Sequence, residues 1–219
     1  MKRTLFAIII GLGLITGMEP ARAQNDEKPV PKAPYLAAVP DYGHWIVTFK
    51  YDDAATANDA KQPAPANKFA STIDTIKTAD LRGVVLTFPD GTTRQFTCQG
   101  DWVLASTPKG PQLGIAGRSW VPYVYYTKGF ILLDGVKIDL TTFKETGKHN
   151  DVLAFHYKSG DEDVWIATET MLPLAVKKQN VEASYQFLPA PPRPFSIPAD
   201  QAALLKKQED ADKALHSLR

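Results

Sequence analysis

The sequence predicts a mainly β protein, with a curved antiparallel sheet (a half-barrel or a sandwich) followed by a C-terminal α-helix. Three observations lead to this fold class. Short segments in which apolar and polar residues alternate recur between residues 41 and 198, tight-turn sequences separate them, and a helical pattern begins only after Pro198. Nine or ten short strands joined by tight turns are typical of an antiparallel sheet that curls on itself.

The first 23 residues predict a signal peptide. A basic pair (residues 2–3) precedes an apolar run (5–15) and the motif Ala21-Arg22-Ala23. This is the order of an n-region, an h-region and an A-x-A cleavage site. The run is shorter than the roughly 20 residues of a spanning helix, and the alternative is an uncleaved anchor. We therefore expect cleavage after Ala23, a periplasmic or secreted location and no transmembrane span in the mature chain.

At this length we expect one domain with three parts. Residues 24–40 are rich in proline and charge and predict a flexible lead-in. Residues 41–198 are the predicted antiparallel β domain, with a mobile loop at 52–67 that has no bulky apolar residue. Residues 199–219 predict a helix with Asp200 as its N-cap. Its thin apolar stripe consists of Leu204, Ala211, Leu215 and Leu218.

The first predicted hairpin, residues 81–98, takes its register from its turn. Pro89-Asp90-Gly91 suits a type I turn that ends in a left-handed glycine, and this loop pairs Leu86 with Arg94. The same register gathers the apolar residues on one face, whereas a two-residue loop would divide them between both faces. Cys98 falls in that apolar row and is predicted to be a small buried side chain rather than a reactive thiol.

Two further hairpins are predicted. Asp134-Gly135 suits a two-residue turn within 130–140 and pairs Ile131 with Ile138. Within 151–168, a loop at 159–162 places His156 across from Trp165. The other predicted strands are 43–51, 101–107, 119–126 and two segments after Pro173, and residues 189–198 form an extended proline-rich strap.

Charge and motif content exclude several functions. The chain has 25 basic and 24 acidic residues, which leaves no electrostatic footprint for nucleic acid. Its one cysteine cannot form an intramolecular disulfide, and its four histidines have no metal-ligand spacing. No nucleophile motif is present. We therefore predict no catalytic residue, metal or cofactor, although an enzyme whose acid and base lie in no motif is a third alternative.

The aromatic residues of the predicted strands suggest a ligand site. A core is one interpretation of them, and an apolar cleft inside a curved sheet, the usual form of a small-ligand site, is the other. Arg94 is the one cation in an apolar row, and it either extends along that surface to solvent or stands at the rim of a cleft. The candidate ligand-binding residues are Arg94, Trp45, Trp102, Trp120, Tyr125, His156 and Trp165.

The last third of the β domain resembles a known group. From Val152 onward, a strand with a polar tip, a strand containing Trp165-Ile166, a turn, another strand and a final Phe195-x-Ile197-Pro198 follow one another. This is similar to the C-terminal meander of periplasmic proteins of the lipoprotein-localisation-factor superfamily, over about 50 of the 219 residues. The resemblance implies an unclosed half-barrel whose concave apolar face binds acyl chains, and it assigns no individual residue a role.

Besides the enzyme alternative, two non-enzymatic functions remain from the sequence. The first is an exported, non-enzymatic binding protein for a lipid or lipoprotein acyl chain, which requires an apolar cavity above about 300 Å³. The alternative is an exported structural or protein-interaction module with a solid core and an exposed apolar patch. In either case we expect a monomer whose partner is an apolar ligand or an envelope protein.

Overall fold

The computed structural model describes residues 27–52, 69–79, 81–100, 102–107, 109–115, 129–189 and 196–216. In these ranges eleven strands form one open, curved antiparallel sheet and one helix follows them, which confirms the predicted fold class. The strands are β1 (Tyr42–Tyr51), β2 (Thr72–Thr78), β3 (Leu81–Thr87), β4 (Thr93–Gln99), β5 (Trp102–Thr107), β6 (Gly110–Ile115), β7 (Phe143–His149), β8 (Val152–Ser159), β9 (Glu162–Ala167), β10 (Pro173–Lys178) and β11 (Val181–Leu188), and the helix is α1 (Ala199–His216). The predicted signal peptide, the predicted strand at 119–126, and residues 53–67 and 190–195 lie outside the described residues.

The strand order consists of two meanders that meet in the middle of the sheet. Strands β1 to β6 lie side by side, and β6 forms one edge of the sheet. Strand β7 forms the other edge, and β8 to β11 follow it in order until β11 pairs with β1. Each strand within a meander therefore pairs with its neighbour in sequence. The connection from β6 to β7 has to pass from one edge of the sheet to the other.

The registers of two hairpins are confirmed. In the first, Leu86 pairs with Arg94, the Phe88 N–H donates to the Thr92 carbonyl at 2.9 Å, and Gly91 has φ +81°. That left-handed φ is the reason the turn needs glycine. In the other hairpin, between β8 and β9, His156 lies across from Trp165.

The predicted hairpin at 130–140 is wrong. This segment contains consecutive turns and no strand, with the Leu133 N–H donating to the Phe130 carbonyl at 3.2 Å. Gly135 does have the positive φ of a turn, at +81°. However, a two-stranded ribbon is only marginally stable by itself. Phe130, Ile131 and Leu133 of this segment are instead buried against the sheet, where more apolar surface leaves water.

The two faces of the sheet have different roles. The core face is the face on which β1 presents Trp45 and Val47. Every second residue of each strand points to this face, and the large buried side chains of the sheet lie at these positions. They include Ile73, Val84, Leu86, Phe96, Val103, Phe155, Tyr157, Val164, Ile166, Val176 and Tyr185. The opposite face, which we call the outer face, is buried at Thr97 and Leu104 on β4 and β5.

Helix α1 packs against β5 and β6 through its first turns. Gln201 and Leu205 are its buried residues, and Gln201 Nε2 donates to Ser106 Oγ at 2.8 Å. The helix starts at Ala199, so Asp200 lies in the first turn and not at the predicted N-cap position. Its carboxylate still interacts favourably with the positive end of the helix dipole. The predicted stripe is corrected at Ala211, which is exposed, because the packing face runs through Gln201 and Leu205.

The lead-in contacts the sheet over its described part, residues 27–40. Residues 27–40 form no regular element, yet Tyr35 packs on Tyr157 with ring centroids 6.0 Å apart. The Ala37 N–H donates to the Met171 carbonyl at 2.7 Å. These contacts join the lead-in to the end of the second meander. Within the described residues, no helix is long and apolar enough to cross a membrane.

Candidate functional site

The predicted site residues that the structure describes lie in four separate places. Trp45 is buried on the core face, and Arg94 lies near the tip of the β3–β4 hairpin. Trp102 is half-buried on the outer face of β5, and His156 and Trp165 lie on the outer face of β8 and β9. Trp120 and Tyr125 are outside the described residues. The described candidates therefore do not surround one cleft.

The centre of the core face is covered by a segment of the chain itself. Residues 129–138, which we call the plug, place the ring of Phe130 edge-on against Trp45, Tyr185 and Phe187, with centroids 6.2, 6.1 and 5.8 Å away. The Tyr185 hydroxyl donates to the carbonyl of Ile131 in the plug. Phe130 is 3% exposed. The aromatic side chains that would hold an apolar ligand thus contact the protein's own backbone and side chains.

A small cavity lies between the plug and the sheet. A cavity of about 10 Å³ lies beside Trp45, and its lining includes Thr75, Arg82 and Gly129. That volume holds about one water molecule. An acyl-chain site would need about 300 Å³ or more. The described residues around Trp45 do not form one.

Arg82 is a core-face cation that the sequence prediction missed. It is half-buried, and the register places it directly opposite Cys98 on β4. Burial lowers the pKa of Arg82 and raises the pKa of the Cys98 thiol to about 11, although the adjacent cation partly opposes the second change. A thiol with that pKa is protonated near neutral pH and is a poor nucleophile. The alternation that places Val84 on the core face would have identified Arg82 two residues earlier.

Arg94 has a structural partner. Its guanidinium carbon lies 5.1 Å from the centroid of the Phe88 ring, a distance at which a cation and an aromatic face attract. Both residues belong to the same hairpin. This contact accounts for a cation in an otherwise apolar row without any ligand.

The outer face of β7 to β9 carries a cluster of titratable and aromatic groups. The rings of His149 and His156 both stack on the Trp165 indole, with centroids 4.5 and 4.9 Å away. His156 Nε2 lies 2.8 Å from Asp163 Oδ1, and Lys158 Nζ donates to Asp163 Oδ2 at 2.7 Å. The prediction found the pairing of His156 with Trp165 but missed His149, because β7 was not predicted.

The electrostatics of this cluster favour a neutral His149. Burial lowers its pKa, the nearby His156 lowers it further, and Glu182 partly opposes both effects. Its Nε2 is buried and has no hydrogen-bond partner among the described residues. For Asp163, burial acts to raise the pKa, but hydrogen bonds from Lys158 and His156 outweigh it and the pKa is lowered. Among the described residues no group of three His, Cys, Asp or Glu side chains could hold a metal ion.

A larger concavity lies at one end of the sheet. We call it the end cleft, and it has a volume of about 320 Å³. One wall is the β7–β8 turn and the start of β8, and the other is the β9–β10 turn, with the Thr168 N–H donating to the Leu153 carbonyl at 3.0 Å. Its lining consists of Asp151, Val152, Leu153, Ala167, Thr168, Glu169 and Thr170. The sequence prediction missed it because its two walls are separate turns.

Comparison with known proteins adds no family to these observations. No protein-family model matches the chain, and no curated protein is significantly similar to it. The resemblance to the lipoprotein-localisation-factor superfamily therefore stays a prediction.

Proposed function

We propose that the protein is an exported, non-enzymatic interaction module that contacts another protein of the cell envelope. The observation that supports this proposal is the covered centre of the core face. Phe130, Ile131 and Leu133 of the plug are each no more than 8% exposed and cover the aromatic centre of the sheet. A face that is covered by the chain's own side chains serves as a scaffold. In this proposal a partner protein therefore contacts the exposed edges and ends of the sheet.

Exposed apolar residues support the same proposal. Tyr42, Leu140, Val152 and Leu153 are large apolar residues that are 39% to 67% exposed. Interfaces are enriched in such residues at their centres, and a solid scaffold that presents them needs no internal cavity.

In-cell photo-cross-linking tests the proposal. A photoreactive phenylalanine analogue at position 42, 140 or 153 should give a discrete cross-linked protein band from at least one site. The same analogue at position 130, which is buried, is the matched control and should give none. Absence of a band from all three exposed positions would count against an interaction module.

A lipid carrier is the second candidate, and one observation favours it. The plug has no regular secondary structure, so its removal from the core face would break no sheet pairing. It would uncover the rings of Trp45, Tyr185 and Phe187. A fluorescent fatty acid displaced by extracted envelope lipids separates the two functions. Stoichiometric binding that increases in Phe130→Ala supports the carrier, and no saturable binding by either protein supports the interaction module.

A further inference from the structure

We propose that the end cleft is the docking site for a protein segment that presents an apolar side chain flanked by lysine or arginine. This inference rests on the proposed function and names the partner chemistry. It depends on three properties of the cleft: its apolar floor, its uncompensated carboxylates and its rigid walls.

The first property is apolar surface in a concave setting. Val152 is 44% exposed and Leu153 is 39% exposed, although both belong to strand β8. Single exposed aliphatic residues are ordinary, but these two, which lie on opposite faces at the start of β8, border the same cleft as the buried Ala167. The volume of about 320 Å³ is enough for a large side chain and its neighbours, whereas the cavity beside Trp45 holds one water.

The second property is charge. Asp151 and Glu169 contribute one carboxylate from each wall, and the lining has no basic residue. Within the part of the chain that the structure describes, neither carboxylate makes a hydrogen bond or an ion pair. A concavity with charge of one sign raises the local concentration of groups of the opposite sign. The complementary partner is therefore cationic at both sides of an apolar side chain.

The third property is rigidity. The Thr168 N–H donates to the Leu153 carbonyl and continues the β8–β9 pairing into the cleft walls, and the Met171 N–H donates to the Ala167 carbonyl at 2.9 Å. The lead-in adds the bond from Ala37 to Met171. A cleft that is already formed costs little ordering free energy when a partner binds.

The probes are three short synthetic peptides with the central triplets Lys-Leu-Lys, Glu-Leu-Glu and Lys-Ser-Lys between Gly-Ser ends. Each peptide is titrated into isotope-labelled protein that has been purified in its exported form. The backbone amide resonances of the protein are followed by NMR. The Lys-Leu-Lys peptide should shift the resonances of residues 151–153 and 167–170, and the other two should not. Its affinity should fall as salt increases, because the attraction is between exposed charges.

Variants assign the two chemical components. Glu169→Lys with Asp151→Asn should weaken binding of the Lys-Leu-Lys peptide at least fivefold, and asparagine is chosen at 151 because φ is +64° there. Leu153→Ser should weaken it similarly. Glu209→Lys on helix α1 and Asp161→Asn at the far hairpin tip are matched controls and should leave the affinity unchanged.

Two outcomes overturn the inference. One is no shift at the cleft with any peptide, and the other is a shift that the Glu169→Lys and Asp151→Asn changes do not reduce. Cross-linking from position 42 or 140 is independent of the cleft. A cross-linked partner there without peptide binding would retain the interaction module and reject the docking site, whereas no cross-link from any position would reject the module itself.

Discussion

Replacing Phe130 by alanine tests whether the plug is a packed part of the core. The side chain is 3% exposed and contacts the rings of Trp45, Tyr185 and Phe187 edge-on. Truncation of a buried phenylalanine costs about 3–5 kcal/mol, which combines lost burial with the cavity left behind. The plug has no regular secondary structure and can relax partly, so we expect the free energy of unfolding to fall by about 3 kcal/mol.

Urea unfolding followed by far-ultraviolet circular dichroism measures this change. The midpoint should fall with an unchanged slope, because the surface exposed on unfolding remains nearly the same. Phe69→Ala is the control, since Phe69 is 56% exposed and its ring centroid lies 5.6 Å from that of Tyr51. We expect it to cost less than about 1 kcal/mol. Equal and small losses in the two variants would refute the description of the core face as filled by the plug.

Three further predictions concern a turn, a histidine and the thiol. Gly91→Ala should destabilise the protein by about 1 kcal/mol in urea unfolding, because φ is +81° at this position. Gly147→Ala in strand β7 should not destabilise it, because a Cβ atom added there has no other atom within 4 Å. Since burial lowers the folded-state pKa of His149, the unfolded chain binds that proton more tightly. The contribution of His149 to the free energy of unfolding is therefore complete above the unfolded-state pKa of about 6.5 and decreases as the pH falls through that value. In His149→Gln, the free energy of unfolding should consequently fall less between pH 7.5 and pH 5.5 than in the wild type. Cys98, with a pKa of about 11, should react with iodoacetamide at pH 8 at least tenfold more slowly in the folded than in the urea-unfolded protein.

Each of these has an outcome that contradicts it. Equal effects of alanine at positions 91 and 147 would show that the turn does not require a left-handed residue. A pH dependence that His149→Gln leaves unchanged, with His44→Gln measured beside it, would place the titrating group elsewhere. Equal alkylation rates in folded and unfolded protein would mean that the Cys98 thiol is accessible and ionises normally.

The predictable parts of the fold were those that depend on neighbouring residues. The loop at Pro89-Asp90-Gly91 and the alternation around it determined one register, and the pairing of His156 with Trp165 followed from a short hairpin. Strand β2 was not predicted because its core-face residues include the polar Thr75. Thr75 is only 3% exposed because the neighbouring strands cover it, and its own sequence character does not indicate burial. Strand β6 contains glycine and proline, which are poor strand formers.

The candidate site was less predictable because it depends on contacts between distant segments. The Asp134-Gly135 turn was recognised correctly, but its flanks are held on the core face by Trp45 and Phe187, from β1 and β11. A local turn signal contains no information about such a surface. The end cleft likewise joins two turns that come together only after β8 and β9 have paired.

The topology itself explains why the core face is closed. Because the first meander ends at one edge and the second begins at the other, the chain has to return across the sheet between β6 and β7. The apolar face is the favourable route, since Phe130, Ile131 and Leu133 gain burial there. The described part of this connection, residues 129–138, accordingly covers the centre of the apolar face around Trp45, Tyr185 and Phe187. The proposed contacts with a partner protein are therefore assigned to the ends and rims of the sheet, where Leu153 and Glu169 are exposed.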